Sequence, residues 1–150
     1  MNIEKSINIS RNPAIIFDYL KYTRNQDSFS VWNMTDPEMK KEYKGTDGTV
    51  GFIYRWDSTN KTVGAGEQET TSIEEGKRIV FALRFFRPMQ NTGISAFEIT
   101  GTGEGTSLVR WIFESPSKFP MSLFSPIFKR LLGKDLEKGL QNLKVILEER

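Results

Sequence analysis

Apolar and polar residues alternate with a period of two along most of the chain, and the period changes to about 3.6 after Pro116. Residues 2–10 set Ile3, Ile7 and Ile9 against polar neighbours and predict an opening strand. Asn12-Pro13 then predicts a helix start. Asn12 can cap, Pro13 fits the first helical position, and Ile15, Ile16, Phe17, Tyr19 and Leu20 supply an apolar face. A less regular stretch through Arg24, Phe29 and Trp32 closes at Asp36-Pro37.

A strand meander follows. Residues 39–44 lead to Gly45 and a Thr46-Asp47-Gly48 turn, where Asp-Gly signals a hairpin. Val50, Phe52, Tyr54 and Trp56 fall on one face of the next strand, opposite Ile53, Arg55 and Asp57. After a turn at residues 57–60, the long stretch 61–74 contains Gly64 and Gly66, which predict a bend or bulge. Strands over 78–86, 94–100 and 107–114 complete the set, with turns at Glu75-Gly76 and residues 101–105. Beyond Pro116, Phe128, Leu131, Leu132, Leu136, Leu140, Leu143, Ile146 and Leu147 trace one stripe of a long helix. Gly133 and Gly139 each lower helix propensity by about 1 kcal/mol relative to alanine, so close approach to the sheet or room for a ligand must account for them. The order predicts an α+β helix-grip architecture: a curved antiparallel sheet of about six or seven strands around a long C-terminal helix, with two short helices after the first strand.

At 150 residues the chain is long enough for one domain spanning 1–150, burying about 70% of the surface its unfolded form exposes. It has no cysteine and no histidine. Thiolate and imidazole chemistry, and metal sites ligated by either, are thereby excluded, and no cofactor is expected. Net charge is only +2; Lys40, Lys41 and Lys44 are interleaved with Glu38 and Glu42, which predicts a solvated strand edge and no nucleic-acid partner. No long apolar run marks a signal or a membrane span, so a cytoplasmic location is expected.

Several segments resemble the polyketide cyclase/dehydrase-like branch of the START-like (SRPBCC) superfamily. They are residues 12–20 (NPAIIFDYL), Gly48-Thr49-Val50-Gly51 leading to Tyr54 and Trp56, and Val63-Gly64-Ala65-Gly66. The series continues with residues 106–111 (TSLVRW) and, most specific of all, 133–144 (GKDLEKGLQNLK). The resemblance implies a pocket between sheet and C-terminal helix that takes lipids, polyketides or other apolar and aromatic molecules. It carries over no catalytic motif.

Strand parity predicts the lining. With Arg55, Asp57, Arg84, Arg110 and Glu114 facing solvent, the inward set is Phe52, Tyr54, Trp56, Phe81, Leu83, Phe85, Val109, Trp111 and Phe113, with Phe97 and Ile99 opposing Glu98. Glu67 and Glu69 facing out place Gln68 and Thr70 inside. Trp32 is expected at the mouth, and Phe124, Phe128 and Leu132 on the helix side, where residues 117–130 supply a lid or a partner surface as alternatives to ordinary packing. Each aromatic alone is equally a core residue. Together with the polar atoms of Tyr54, Trp56, Gln68, Thr70 and Trp111 they suit a small-molecule chamber. The leading expectation is binding of an apolar or aromatic molecule. A cyclase or dehydratase reading rests on Tyr43 or Tyr54, on Asp36 (more readily a capping or turn residue beside Pro37), or on a Glu67–Glu69 pair turned inward. An interaction module through residues 119–128 is the third reading.

Overall fold

The computed structural model describes residues 2–87, 90–115 and 125–150, with side chains described from residue 130 onward in the last stretch. The order is β1 (Asn2–Ile9), α1 (Pro13–Leu20), a 3-10 helix (Thr23–Ser28), α2 (Val31–Met34), β2 (Lys40–Lys44), β3 (Ile53–Asp57), β4 (Ala65–Glu74), β5 (Arg78–Arg87), β6 (Asn91–Gly103), β7 (Thr106–Glu114) and α3 (Ser125–Glu148). The strands form one seven-stranded antiparallel sheet in the order β1-β7-β6-β5-β4-β3-β2. Register slips between Ala65 and Gly66, and between Thr70 and Ser72, bulge β4 and help the sheet curl, as Gly64 and Gly66 foretold. At Gly66 the Trp56 indole crosses the glycine so closely that a Cβ there would lie 2.8 Å from Trp56 Cζ2.

The connection from β2 to β3 differs from the predicted tight hairpin. It spans residues 45–52, with Gly45, Gly48 and Gly51 all at positive φ. Asp47 does not serve its own turn. Its carboxylate accepts the backbone N–H groups of Thr23 (2.7 Å) and Arg24 (3.2 Å), capping the 3-10 helix. Gly51 breaks the alternation before β3, so Val50 is 59% exposed and does not join Phe52, Tyr54 and Trp56 inside. Asn12 also departs from expectation: its side chain makes no cap, and its carbonyl accepts from the N–H groups of Ile15 and Ile16.

α3 lies on the concave face over the β1 side. Leu136, Leu140, Leu143 and Leu147 are buried, Leu132 and Ile146 are half-buried, and Leu131 is 57% exposed, so the apolar stripe is narrower than predicted. Gly139 explains itself: a Cβ there would lie 2.8 Å from Trp111 Cζ3 and 3.4 Å from the Phe29 carbonyl oxygen. One turn on, Asn142 Nδ2 donates to that same carbonyl at 3.1 Å. The C-terminal end is tied down by Arg11, whose Nε donates to the Leu147 carbonyl at 2.8 Å, and by Lys144 Nζ on the Asn8 carbonyl at 2.7 Å. Cations at this end also meet the negative pole of the helix.

Two apolar clusters result. The larger joins α1 and α3 to β1, β5, β6 and β7 and includes Phe29, Phe81, Phe97 and Trp111. The smaller holds Met39, Phe52, Tyr54, Trp56 and Val63, with Trp32 against it, and Phe85 touches both.

Gly139→Ala separates propensity from packing. Propensity alone favours alanine by about 1 kcal/mol, whereas overpacking against a buried indole costs about 1–3 kcal/mol. Urea melts should show a net loss of up to about 2 kcal/mol, and a stabilised variant would contradict the seating of α3 on Trp111.

Candidate functional site

Cross-strand register assembles the concave face. Tyr54 faces Gln68, and Gln68 faces Leu83; Thr70 faces Phe81, Phe81 faces Ser95, and Ser95 faces Phe113. Phe97 pairs with Trp111, and Tyr43 and Lys41 on β2 share the face with Tyr54 and Trp56. Phe81, Phe97 and Val109 are wholly buried in the core. Phe29 fills the space over Trp111 and Phe97 with ring centroids 5.7 and 6.0 Å away. Trp32 packs edge-on to Phe85 at 6.4 Å, and Phe85 to Trp56 at 6.0 Å, a row that bridges the two clusters. Phe124 and the side chain of Phe128 lie outside the described residues, as does most of the expected lid at residues 117–130.

Most of the polar atoms expected to orient a ligand are engaged by the protein itself. Trp111 Nε1 donates to Ser95 Oγ at 3.1 Å, and Trp56 Nε1 to the Val63 carbonyl at 3.2 Å. Thr70 and Thr23 share a hydroxyl contact at 3.4 Å. Tyr54 donates its hydroxyl to Asp27 Oδ1 at 2.8 Å. Gln68 is the exception. At the centre of the face, flanked by Tyr54 and Leu83, it is half-buried and its side chain makes no hydrogen bond among the described residues. Trp32, Phe85 and Leu132 likewise keep partial exposure.

Asp27 escaped the sequence reading. Its carboxylate also accepts from Asn33 Nδ2 (3.0 Å) and Lys41 Nζ (3.1 Å), joining the 3-10 helix, α2, β2 and β3. Burial, then the bond to Asp27 and its charge, push the Tyr54 phenol well above its ordinary range, so it keeps its proton. The signal that could have revealed this node is Lys41. It shares its parity with Tyr43, and a lysine turned inward on an edge strand needs an acid opposite.

The remaining candidate acids have other employment. Asp36 accepts from Ser58 Oγ at 2.5 Å and from the Glu38 N–H at 3.0 Å, a turn role. Glu67 and Glu69 sit on the convex face. Arg84 binds Glu67 at 3.0 Å and Glu69 at 2.8 Å, and Arg55 binds Glu67 at 3.1 Å. Burial would raise the Glu67 pKa, but the two guanidiniums outweigh it and hold the carboxyl below its usual range. Among the described residues no group of His, Cys, Asp and Glu is placed to hold a metal ion, and no helix is long and apolar enough to cross a membrane.

The profile of the family described as polyketide cyclase / dehydrase and lipid transport matches residues 1–148. No curated protein matches the chain. Similar solved structures include truncated norcoclaurine synthase from Thalictrum flavum, with TM-score 0.73 and 12% identity over 100% of this chain and 94% of that one. The Aha1 dimer from Colwellia psychrerythraea gives 0.66 and 18% over 99% and 96%. A START superfamily protein from Mycobacterium smegmatis gives 0.64 and 16% over 99% and 97%. At these identities the likeness concerns the fold alone.

The Glu67 cage makes stability depend on acid. A carboxyl held below its unfolded value near 4.5 contributes fully above that pH, and the contribution is lost as pH falls through the folded value. Melting temperature measured from pH 7 down to pH 3 should fall less steeply in Glu67→Gln than in the parent. The variant should also lose about 1 kcal/mol at pH 7, modest because the arginines are partly solvated.

Proposed function

Because the chain belongs to the polyketide cyclase / dehydrase and lipid transport family, we propose that residues 1–150 act as one domain that binds an apolar or aromatic small molecule between the sheet and α3. The observation that supports this most is Gln68. A glutamine amide sealed into the middle of an aromatic face would need two or three partners, and a buried unsatisfied amide costs about 1–3 kcal/mol. The Gln68 side-chain amide has no partner among the described residues and is not sealed in, so water or a guest meets it there. Trp32, Phe85 and Leu132, also part-exposed, give that guest apolar walls.

The energetics are adequate. Burying roughly 200 Å² of apolar ligand surface at about 25 cal/mol per Å² gives about 5 kcal/mol before association costs. One amide then orients the guest with a donor and an acceptor. The binding reading stands ahead of a cyclase or dehydratase reading because Tyr54, the tyrosine beside Gln68, has its proton committed to Asp27, and Asp27 already accepts three bonds. An interaction surface over residues 119–128 has little support, since it falls largely outside the described residues.

The test is titration with N-phenyl-1-naphthylamine, a neutral apolar fluorophore that brightens out of water. Saturable one-to-one binding with a Kd on the order of 100 μM is expected. Gln68→Phe, which fills the opening, should weaken binding about tenfold or more while retaining a cooperative melt. No enhancement, or equal enhancement in the variant, would overturn the reading.

A further inference from the structure

α3 presents three faces to its surroundings. Leu136, Leu140, Leu143 and Leu147 point into the core. Gly133, Glu137 and Lys144 address β1, through Lys5 and the Asn8 carbonyl. Gly139 and Asn142 form the third ridge, which faces Phe29 and so the side where the 3-10 helix and α2 cover the sheet. Four residues before Gly139, the next position of that ridge is Asp135. Helical side chains lean toward the helix N-terminus, so this carboxylate projects beyond the Gly139–Trp111 contact.

Asp135 is half-buried, and its carboxylate makes no hydrogen bond or ion pair among the described residues. That is not for want of a neighbour at the right spacing. Asp18 and Lys21 pair at 3.4 Å three residues apart, whereas Asp135 and the exposed Lys138 at the same spacing do not. Among the described strand residues, the cations turned to the concave side are committed elsewhere: Lys41 to Asp27 at 3.1 Å, and Lys5 to Glu137 at 3.8 Å. Among the described residues, Asp135 is left there as a negative charge without a paired cation. Burial pushes the Asp135 carboxyl above its ordinary value, as befits an acid losing water without gaining a partner.

We propose that the ligand carries a basic amine on its apolar body and that Asp135 is the counter-ion for it, with the Gln68 amide as the second polar contact. This rests on the binding reading above. A protonated amine restores the charge balance, and its bond to a carboxylate is of the stronger, charge-assisted kind. A neutral hydrocarbon would leave Asp135 further desolvated and unpaired. A ligand bearing a carboxylate would add repulsion.

Three probes sharing one ring system decide this by calorimetric titration: 2-(1-naphthyl)ethylamine, 1-ethylnaphthalene and 1-naphthylacetic acid. The amine should bind about tenfold more tightly than the hydrocarbon, and the acid most weakly. In Asp135→Asn, amine and hydrocarbon should come within about twofold of each other, with hydrocarbon affinity unchanged. Asp135→Ser should repeat the result if the amide variant folds poorly, and Asp135→Glu should retain the amine preference. Equal binding of all three probes, or an amine preference that survives both Asp135→Asn and Asp135→Ser, would overturn the counter-ion role while leaving the binding reading intact. Failure of every probe to bind would overturn both.

Discussion

The seat of α3 is set by a contact without slack. At Gly139 the helix backbone lies against the Trp111 indole, where even one added carbon would come within 2.8 Å. Trp111 is itself held by Ser95 and wedged by Phe29 and Phe97, so the helix cannot settle lower or slide across the sheet without undoing the core. Fixed there, α3 covers the β1 side, and the 3-10 helix and α2 must cover β2, β3 and β4. Asp27 performs that second attachment, drawing Tyr54 and Lys41 from the sheet to one carboxylate. Gln68 lies on β4 between Tyr54 and Leu83, which belong to different apolar clusters, one under each cover.

The convex face solves a separate problem. A curled sheet needs its outer side chains to tolerate water and one another. Here they interlock: Arg55, Glu67, Arg84 and Glu69 span β3, β4 and β5, while Arg78, Glu98, Arg110 and Glu4 span β5, β6, β7 and β1. Pairing the acids outward leaves the concave side mostly apolar. Because the similar solved structures share only 12–18% identity with this chain, their activities carry no weight for it; the site has to be argued from its own residues.

Sheet parity was legible because each strand carries its own marker. Arg55, Arg84 and Arg110 each fix which neighbours turn inward, and a period of two does the rest. The long helix was legible from leucine spacing, and Gly139 from its misfit with that helix. What stayed hidden depends on partners remote in sequence. Asp47-Gly48 reads locally as a hairpin, yet its carboxylate serves amides 24 and 23 residues away. Asp27 looks like any loop acid until Tyr54, Asn33 and Lys41 converge on it. The aromatic polar atoms were expected to await a ligand, but Ser95, the Val63 carbonyl and Asp27 satisfy them, partners that no alternation pattern reveals. Gln68 and Asp135 stand out only against that background of satisfied groups.

The claim that the concave face receives a guest at Gln68 is tested most directly by ¹⁵N–¹H correlation spectra recorded while 1-ethylnaphthalene is added. The account predicts saturable shifts of the Gln68 side-chain amide and of the Trp32 indole N–H, with the convex arginine side chains unmoved. Shifts confined to the convex face, or none at Gln68 at a saturating concentration of the probe, would contradict it.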